Sequence, residues 1–238
     1  DHAVFSILAF DQRGNYVAML PEGADFALAS RIKAEVVSAL SPHTTAVLLD
    51  PVYGLEAALT IPGSKGILLA IEKTGYAGSP TAREIEFIPG WDVGAIQRAG
   101  ASAVKLLVYY HPDSPTAETI ERTITVLSGM CKAYDLPLFV EPLSYSLDPA
   151  VATSTPEFAQ LRPRIVIETA RRLSRAGADV LKMEFPVSVK HDPDEAHWAE
   201  ACAALSEAST VPWTILSAGV DYPMFERQVT VACADGAS

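Results

Sequence analysis

The amino-acid sequence predicts an α/β protein of the (β/α)8 TIM-barrel class, in one domain over residues 1-238. Two observations carry this prediction: short apolar runs alternate with longer segments of helical character, and the junctions between them repeat a short motif. The chain has 238 residues, and barrels of this class run to about 250 residues as one unit. Hydrophobic residues make up 49% of the chain and charged residues 20%, so apolar strands can be buried on both faces of a sheet.

Seven apolar runs, each ended by polar residues, glycine or proline, are the predicted strands, and helices are predicted between most of them. The long connection Thr74 to Pro89, over the end of the third strand, is a candidate functional loop. The predicted strands are Val4 to Phe10, Thr45 to Asp50, Gly66 to Ile71, Ala103 to Tyr110, Pro137 to Val140, Asp179 to Phe185 and Pro212 to Leu216. The predicted helices are Ala24 to Leu40, Val93 to Ala99, Ala117 to Tyr134, Arg164 to Arg175 and Glu195 to Ala208.

The motif Arg-Ala-Gly-Ala at residues 98–101 and 175–178 marks the junction of a helix with the next strand. Glycine is favoured just beyond a helix end, because it adopts a left-handed backbone without steric cost. Asp-Gly-Ala-Ser at residues 235–238 resembles a third copy, after which a strand should follow. We therefore expect the eighth strand of the barrel to be missing from this sequence, which would then be C-terminally incomplete.

Composition argues against several classes of protein. A formal net charge of -11 disfavours nucleic-acid binding, which needs a basic face. No apolar stretch reaches the roughly 18 residues of a membrane span, and neither a membrane partner nor a secretory leader is expected. The three cysteines form no metal-like or paired motif, so no metal site or disulfide framework is predicted and a reducing cytoplasm fits best.

Ionisable side chains interrupt or end most of the apolar runs, although barrel strands are normally apolar and a buried charge needs a partner. In the sixth run, Lys182 alternates with Leu181 and Met183 and shares a face with Val180 and Glu184, so it is expected to point into the barrel. The residues at the run ends are Asp11, Gln12, Arg13, Asp50, Glu72, Lys73 and Glu141, and those inside runs are Lys105, Lys182 and Glu184.

Lys182 is the candidate nucleophile. An ordinary lysine, with a pKa near 10.4, is neutral in about one of a few thousand molecules at pH 7, and burial or a neighbouring cation lowers that pKa. Lys105 could supply the cation and Glu141 could shuttle protons, whereas Glu184 would favour the charged form of Lys182. A purely structural network of buried ion pairs is the alternative, and the pattern of residues leaves it open.

Ser217, Ala218 and Gly219 follow the seventh run. Small residues there let backbone N–H groups approach a phosphate, and phosphate sites in barrels favour the loops after strands seven and eight. An ordinary turn explains the same residues equally well. The sequence contains no Walker loop or GxGxxG, so no nucleotide cofactor is predicted.

Ordered motifs along nearly the whole chain resemble those of the class I tagatose 1,6-bisphosphate aldolases and their relatives, the sulfofructose-1-phosphate aldolases. Seven such matches in order are more specific than any single motif. They are Ala-Phe-Asp-Gln-Arg-Gly at 9–14, Leu-Leu-Asp-Pro-Val-Tyr-Gly at 48–54, Glu-Lys-Thr-Gly-Tyr at 72–76, Ala-Val-Lys-Leu-Leu-Val-Tyr-Tyr at 103–110, Phe-Val-Glu-Pro-Leu at 139–143, Asp-Val-Leu-Lys-Met-Glu-Phe-Pro at 179–186 and Leu-Ser-Ala-Gly-Val at 216–220.

The resemblance implies that Lys182 forms a Schiff base with a ketose bisphosphate, which is cleaved to dihydroxyacetone phosphate and glyceraldehyde 3-phosphate without a metal. It implies proton-transfer or orienting roles for Glu141 and Asp11, and a second active-site lysine in Lys105. The family carries a Gly-Arg motif on its eighth strand, and the sequence ends before that point. The positions that match residues near the anionic ends of the substrate are Gln12, Arg13, Ser217 and Gly219.

Two alternatives to tagatose-bisphosphate cleavage stay open. One is a sulfofructose-1-phosphate aldolase with the same chemistry and a sulfonate end on its substrate. The other is a catalytically weak sugar-phosphate sensor that reports through a partner. A phosphorylated sugar is the expected ligand under all three hypotheses. A homo-oligomer is plausible for a metabolic enzyme.

Overall fold

The structure is a computed structural model that describes residues 4–74 and 76–238. The strands are β1 (Ile7–Phe10), β2 (Ala46–Leu49), β3 (Gly66–Ala70), β4 (Glu72–Thr74), β5 (Gly78–Ser79), β6 (Ala82–Arg83), β7 (Glu86–Phe87), β8 (Ala103–Tyr109), β9 (Leu138–Leu143), β10 (Val180–Met183) and β11 (Trp213–Ile215). The helices are α1 (Gly14–Val17), α2 (Phe26–Leu40), α3 (Leu55–Ala58), α4 (Val93–Arg98), α5 (Ala117–Ala133), α6 (Pro156–Ala176), α7 (Glu195–Ala208) and α8 (Tyr222–Ala234), with a 3-10 turn at Ser41–His43.

Seven strands hydrogen-bond in the order β1-β2-β3-β8-β9-β10-β11. Every neighbouring pair in this order is also consecutive among the long apolar runs of the sequence, as expected when parallel strands are joined by crossovers. Ala46 of β2 pairs with Ile7 of β1 and with Gly66 of β3. Leu181 of β10 pairs with Val140 of β9 and with Trp213 of β11. The predicted β/α class and its seven strands are confirmed, with each predicted strand end within three residues of the observed one.

The chain comprises two compact units. The first contains Asp1–Lys73, Phe87–Leu106 and Cys131–Leu136, and the second contains Thr74–Glu86, Leu107–Met130 and Pro137–Ser238. In the first unit, α2 begins at the side chain of Asp25, whose Oδ1 accepts a hydrogen bond from Leu28 N at 2.8 Å. Such N-caps satisfy one of the free amide groups of a helix start. Helix α2 then packs its buried face, which includes Lys33 and Val37, against β1 and α3.

In the second unit, helix α6 is longer than the sequence predicted. It begins at Pro156, with Thr155 as its N-cap, and continues through Pro163, whereas the predicted helix began at Arg164. Proline lacks an N–H and usually ends or disfavours a helix interior. Here the buried face from Phe158 to Leu173 packs continuously on β10 and α7, and this burial outweighs the lost hydrogen bond.

Helix α8 was not predicted, because its sequence carries few of the strong apolar repeats that mark an amphipathic helix. Asp221 caps its start through a 2.9 Å hydrogen bond from Met224 N, and Pro223 occupies the first turn. The long connection predicted as a loop contains the short strands β5 and β6, which pair as an antiparallel hairpin. These elements have little apolar periodicity, so local capping and turn chemistry define them instead.

Glycines lie in the left-handed region at all three predicted helix–strand junctions, with φ of 84° at Gly100, 118° at Gly177 and 108° at Gly236. Gly177 also closely approaches a second helix, because a Cβ placed there would lie 2.9 Å from the Cβ of Ser128. Two requirements, backbone conformation and space, therefore favour glycine at this position.

Cys131 and Cys202 are buried, and Cys233 is exposed. Burial raises the pKa of the Cys202 thiol to about 12, with the nearby Asp235 carboxylate adding to the effect. In the part of the chain that the structure describes, helices long and apolar enough to cross a membrane are absent.

Candidate active site

Lys182 and Glu141 form an ion pair on adjacent strands of the second unit. The register pairs Leu181 with Val140, so the next residue of each strand is brought alongside the other. Lys182 Nζ lies 3.0 Å from Glu141 Oε2, and the two side chains are 14% and 9% exposed. A largely buried amine beside a carboxylate can exchange a proton with it directly. The structure thus brings together the two residues that the sequence proposed as nucleophile and proton shuttle.

Glu184 follows β10, and its two carboxylate oxygens are bound by Arg162 and by the backbone N–H of Ser144. Arg162 Nη2 of α6 lies 3.0 Å from Glu184 Oε1, and Ser144 N donates to Glu184 Oε2 at 2.6 Å. Arg162 Nε also donates to the carbonyl of Phe185 at 3.1 Å. Charge-assisted bonds of this kind orient the side chains they join. The sequence predicted Glu184 as a substrate-binding residue and left open whether it contacts the substrate or only Lys182. The Arg162 guanidinium balances the charge of this carboxylate, and the substrate contact stays a prediction.

Arg162 was not identified from the sequence. It lies beside Pro163, in a segment that was not predicted as helical, and nothing in its local pattern marks it as a partner of a strand-end carboxylate. The signal that could have found it is the charge of Glu184, because a carboxylate at the end of an apolar strand requires a cation or several donors.

In the first unit, Lys105 is held by two carboxylates. Its Nζ lies 2.7 Å from Asp11 Oδ2 and 3.1 Å from Glu72 Oε1, and its side chain is 1% exposed. Glu72 in turn accepts from Arg13, whose Nη1 lies 2.7 Å from the Glu72 carbonyl and whose Nη2 lies 3.4 Å from Oε1. Two cations thus balance two carboxylates, as a buried network requires.

This cluster brings together three residues that the sequence assigned to the site. Asp11 and Lys105, both proposed as catalytic, are in direct contact, and Arg13 is joined to them through Glu72. Glu72 had been noted at a strand end but not assigned to the site. The proposed role of Lys105 as a cation that lowers the pKa of Lys182 stays a prediction.

A second buried pair supports the backbone that carries Asp11. Lys33 Nζ donates to the carbonyls of Phe10 and Gln12 at 2.8 and 2.9 Å, the two residues that flank Asp11. It also donates to Asp50 Oδ2. Three hydrogen bonds satisfy the full donor capacity of an ammonium. Helix α2 therefore fixes the end of β1 through Lys33.

Ser217, Ala218 and Gly219 form a tight turn directly after β11. Ala218 and Gly219 have φ of 50° and 75°, and Val220 N donates to Ser217 O at 3.2 Å. Both central residues of the turn are exposed, and so is Gln12 after β1. A left-handed conformation at a non-glycine residue is uncommon, and its occurrence after a strand is compatible with the predicted anion contact. That contact, like the substrate contacts of Gln12 and Arg13, stays a prediction.

Comparison with known proteins identifies the family. The model of the DeoC/LacD family aldolases matches residues 5–238. The tagatose 1,6-diphosphate aldolase 2 of Streptococcus agalactiae serotype III is 34% identical, over 100% of this chain and 78% of that protein. The tagatose 1,6-diphosphate aldolase of Lactococcus lactis is 35% identical, over 98% of this chain and 76% of that protein.

A solved structure described as a Schiff-base-forming fructose-1,6-bisphosphate aldolase has the same fold. It matches with a TM-score of 0.67 and 21% identity, over 98% of this chain and 84% of that one. The barrel class predicted from the sequence is confirmed by this likeness, together with the seven-stranded sheet. That this sheet has seven strands among the described residues is consistent with the expectation that the eighth is missing from this sequence. The chain therefore belongs to the DeoC/LacD family of aldolases.

Proposed function

We propose that the protein is a class I aldolase that cleaves tagatose 1,6-bisphosphate, with Lys182 as the Schiff-base residue. The observation that carries the proposal is the buried contact of 3.0 Å between Lys182 Nζ and Glu141 Oε2, in the carboxyl-terminal halves of two neighbouring strands. The active sites of barrel enzymes lie at the carboxyl-terminal end of the strands. Membership of an aldolase family supplies the reaction class.

Glu141 first takes a proton from the Lys182 ammonium, which frees the nitrogen lone pair. The amine attacks C2 of the ketose, and the carbinolamine loses its hydroxyl as water to give an iminium ion. The positive iminium accepts the electron pair of the C3–C4 bond when that bond breaks, while the C4 hydroxyl proton passes to a carboxylate. The aldehyde leaves, and protonation of the enamine followed by hydrolysis releases dihydroxyacetone phosphate and the free lysine.

The substrate is proposed from the two relatives, which carry the name tagatose 1,6-diphosphate aldolase at 34% and 35% identity. Asp11 and Lys105 are proposed as a further proton-transfer or orienting pair, supported by their 2.7 Å contact. Ser217, Ala218 and Gly219 are proposed as contacts of an anionic group of the substrate. The sulfofructose phosphate alternative uses the same lysine chemistry and differs in the far end of the substrate.

Borohydride reduction tests the Schiff base. Incubation with dihydroxyacetone phosphate and borohydride should add one ligand per chain, and peptide mass mapping should place it on Lys182. Lys182→Met should abolish the adduct and the turnover. Lys190→Met is the matched control, because Lys190 is exposed a few residues further along the chain. An adduct that survives in Lys182→Met, or none in the unaltered protein, contradicts the proposal.

Side-by-side turnover of tagatose 1,6-bisphosphate and sulfofructose 1-phosphate separates the two substrates. A higher kcat/KM for tagatose 1,6-bisphosphate supports the proposal, and a higher value for the sulfonate supports the alternative. Tight binding of either sugar without cleavage would instead support a sensor.

A further inference from the structure

A guanidinium lies against a pair of tyrosine rings in the second unit and has no assigned role. Arg83 Cζ is 5.6 Å from the ring centroid of Tyr76 and 5.6 Å from that of Tyr109. The two rings lie 5.3 Å apart with an interplanar angle of 36°. Stacking on aromatic faces is favourable for arginine and restricts the orientation of its planar group. Arg83 is therefore held in one place before any ligand arrives.

The backbone around Arg83 is equally well defined. It ends the β5–β6 hairpin, in which Arg83 pairs with Gly78. Gly78 has a φ of 77°, and a Cβ there would lie 2.4 Å from Ala82 O, so the tight hairpin requires glycine at this position. Glu84 N continues the hairpin with a 3.0 Å bond to Ala77 O. The hairpin fixes where Arg83 leaves the backbone.

The polar atoms of Arg83 are incompletely satisfied. Nη1 donates to the carbonyl of Tyr76 at 3.2 Å, whereas Nε is buried and has no acceptor among the residues that the structure describes. A buried donor without an acceptor is unusual in native proteins and needs an explanation. Arg13, the arginine that the sequence assigned to an anionic end, already donates through Nη1 and Nη2 to Glu72. Arg83 Nη1 is therefore bonded to one backbone carbonyl, whereas both Nη groups of Arg13 are bonded to Glu72.

One of the two rings that Arg83 contacts stands at the end of a strand of the main sheet. Tyr109 ends β8, and burial, followed by its hydrogen bond with Tyr76, raises the pKa of its hydroxyl. The positive charge of Arg83 lowers this pKa and the negative charge of Glu184 raises it. Glu184 is two residues beyond Lys182. Arg83 thus contacts the ring at the carboxyl end of β8, in the same unit as Lys182 and Glu184.

We propose that Arg83, which lies against the paired rings of Tyr76 and Tyr109, binds the anionic group at the substrate end remote from the ketone, a phosphate or a sulfonate. The planar fork of a guanidinium matches a tetrahedral oxyanion through two parallel N–H donors, and the Arg83 side chain is partly exposed, so a ligand can reach it. In a chain of net charge -11, such local cations are needed to attract an anionic sugar. The inference rests on the proposed aldolase function and adds a determinant of substrate choice.

Substrates with and without the remote anion test this assignment. For Arg83→Gln, we expect KM for tagatose 1,6-bisphosphate to rise about 10- to 100-fold, the range for loss of a charge-assisted hydrogen bond. KM for tagatose 1-phosphate, which lacks that group, should stay unchanged, and kcat should change little, because the interaction is made equally in the ground and transition states. Arg83→Lys should give an intermediate KM. Arg122→Gln, on an exposed arginine of α5, is the control and should change neither KM.

Equal increases in KM for both substrates, or no increase for either, would overturn the assignment. The sulfonate substrate is tested with the same variant, and the substrate whose KM depends on Arg83 identifies the anion that is bound. Calorimetric titration of tagatose 1,6-bisphosphate into Lys182→Met, with and without Arg83→Gln, measures binding without the covalent step. A Kd that is the same in both variants counts against Arg83. Failure of the aldolase proposal would appear separately, as absence of the dihydroxyacetone phosphate adduct in the unaltered protein.

Discussion

Lys33 Nζ lies 2.6 Å from Asp50 Oδ2, and both side chains are fully buried. The ammonium is also 4.6 Å from the ring centroid of Phe10 and 4.9 Å from that of Tyr16. Burial lowers the pKa of Lys33, and the adjacent Asp50 carboxylate opposes this effect. Asp50 Oδ1 accepts from Val52 N and Tyr53 N, both at 2.8 Å. One ion pair therefore connects a helix, the end of β1 and the turn after β2.

Removing one partner of this pair should be strongly destabilising. We expect Lys33→Met and Asp50→Asn each to lower the free energy of unfolding by about 3–5 kcal/mol, because the remaining group is left buried without its partner. Urea unfolding at pH 7 measures the change. Lys132→Met, on an exposed position of α5, should have a small effect. Similar values for Lys33→Met and Lys132→Met would contradict the structural role of the pair.

Glu141→Gln tests the proton transfer. The amide keeps the size of the side chain but cannot take the proton of Lys182, so kcat should fall about 10²- to 10⁴-fold, as is typical for the loss of a general acid or base. The borohydride adduct on Lys182 should still form, although more slowly. Steady-state kinetics and mass mapping give both readouts. The exposed Glu200 of α7 provides the control Glu200→Gln, and a kcat equal to that of this control would exclude Glu141 from the chemistry.

His111 should make the protein sensitive to acid. Burial lowers the pKa of this histidine, Asp113 opposes the effect and Arg164 adds to it, while Asp113 N donates to His111 Nδ1 at 3.1 Å, which requires that nitrogen to be unprotonated. The unfolded chain then binds more protons than the folded one below about pH 6.5. Stability from this group is complete above that pH and falls as the pH drops toward the lowered pKa.

The free energy of unfolding of His111→Asn should accordingly depend less on pH than that of the unaltered protein. Asparagine can still accept from Asp113 N, yet it does not titrate. Urea unfolding at several pH values between 5 and 7.5 compares the two slopes, with the exposed His43 as the control in His43→Asn. Parallel pH profiles for His111→Asn and the unaltered protein would show that His111 is not the responsible group.

Two glycines give opposite predictions for the same substitution. Gly177→Ala places a Cβ 2.9 Å from Ser128 Cβ at a φ of 118°, and strain of this kind costs about 1–3 kcal/mol. Gly129 lies inside α5 with open space around its Cα, so Gly129→Ala should raise the free energy of unfolding by about 0.5–1 kcal/mol through better helix propensity. Thermal unfolding of both variants checks the signs, and a stabilised Gly177→Ala would refute the close approach.

The sequence was sufficient to predict the strand order and the Lys182–Glu141 pair. Both residues follow or occupy apolar runs that are consecutive along the chain, and consecutive parallel strands usually pair. The contact of Asp11 with Lys105 was harder to foresee, since their separation of 94 residues leaves no local signal. The network could be suspected only because each charge stands at the end of an apolar run and needs a partner.

Other contacts were not predictable, because they depend on tertiary packing. Lys33 lies in an amphipathic helix, where a lysine normally marks the solvated face, and its burial follows from Asp50 on a separate strand. Arg162 belongs to a helical turn that Pro163 would normally prevent. Arg83 gains its setting from a two-residue hairpin strand and from Tyr109 of another strand, neither of which leaves a periodic pattern.

One of the three cysteines described above is suited to labelling with a fluorophore. Cys131 and Cys202 are buried and so shielded from a reagent in solvent, and burial raises the pKa of Cys202 to about 12, which disfavours its reactive thiolate. Cys233 on α8 is exposed. A maleimide fluorophore should therefore attach at one position without any cysteine being replaced, so that substrate binding can be followed by fluorescence in the native sequence.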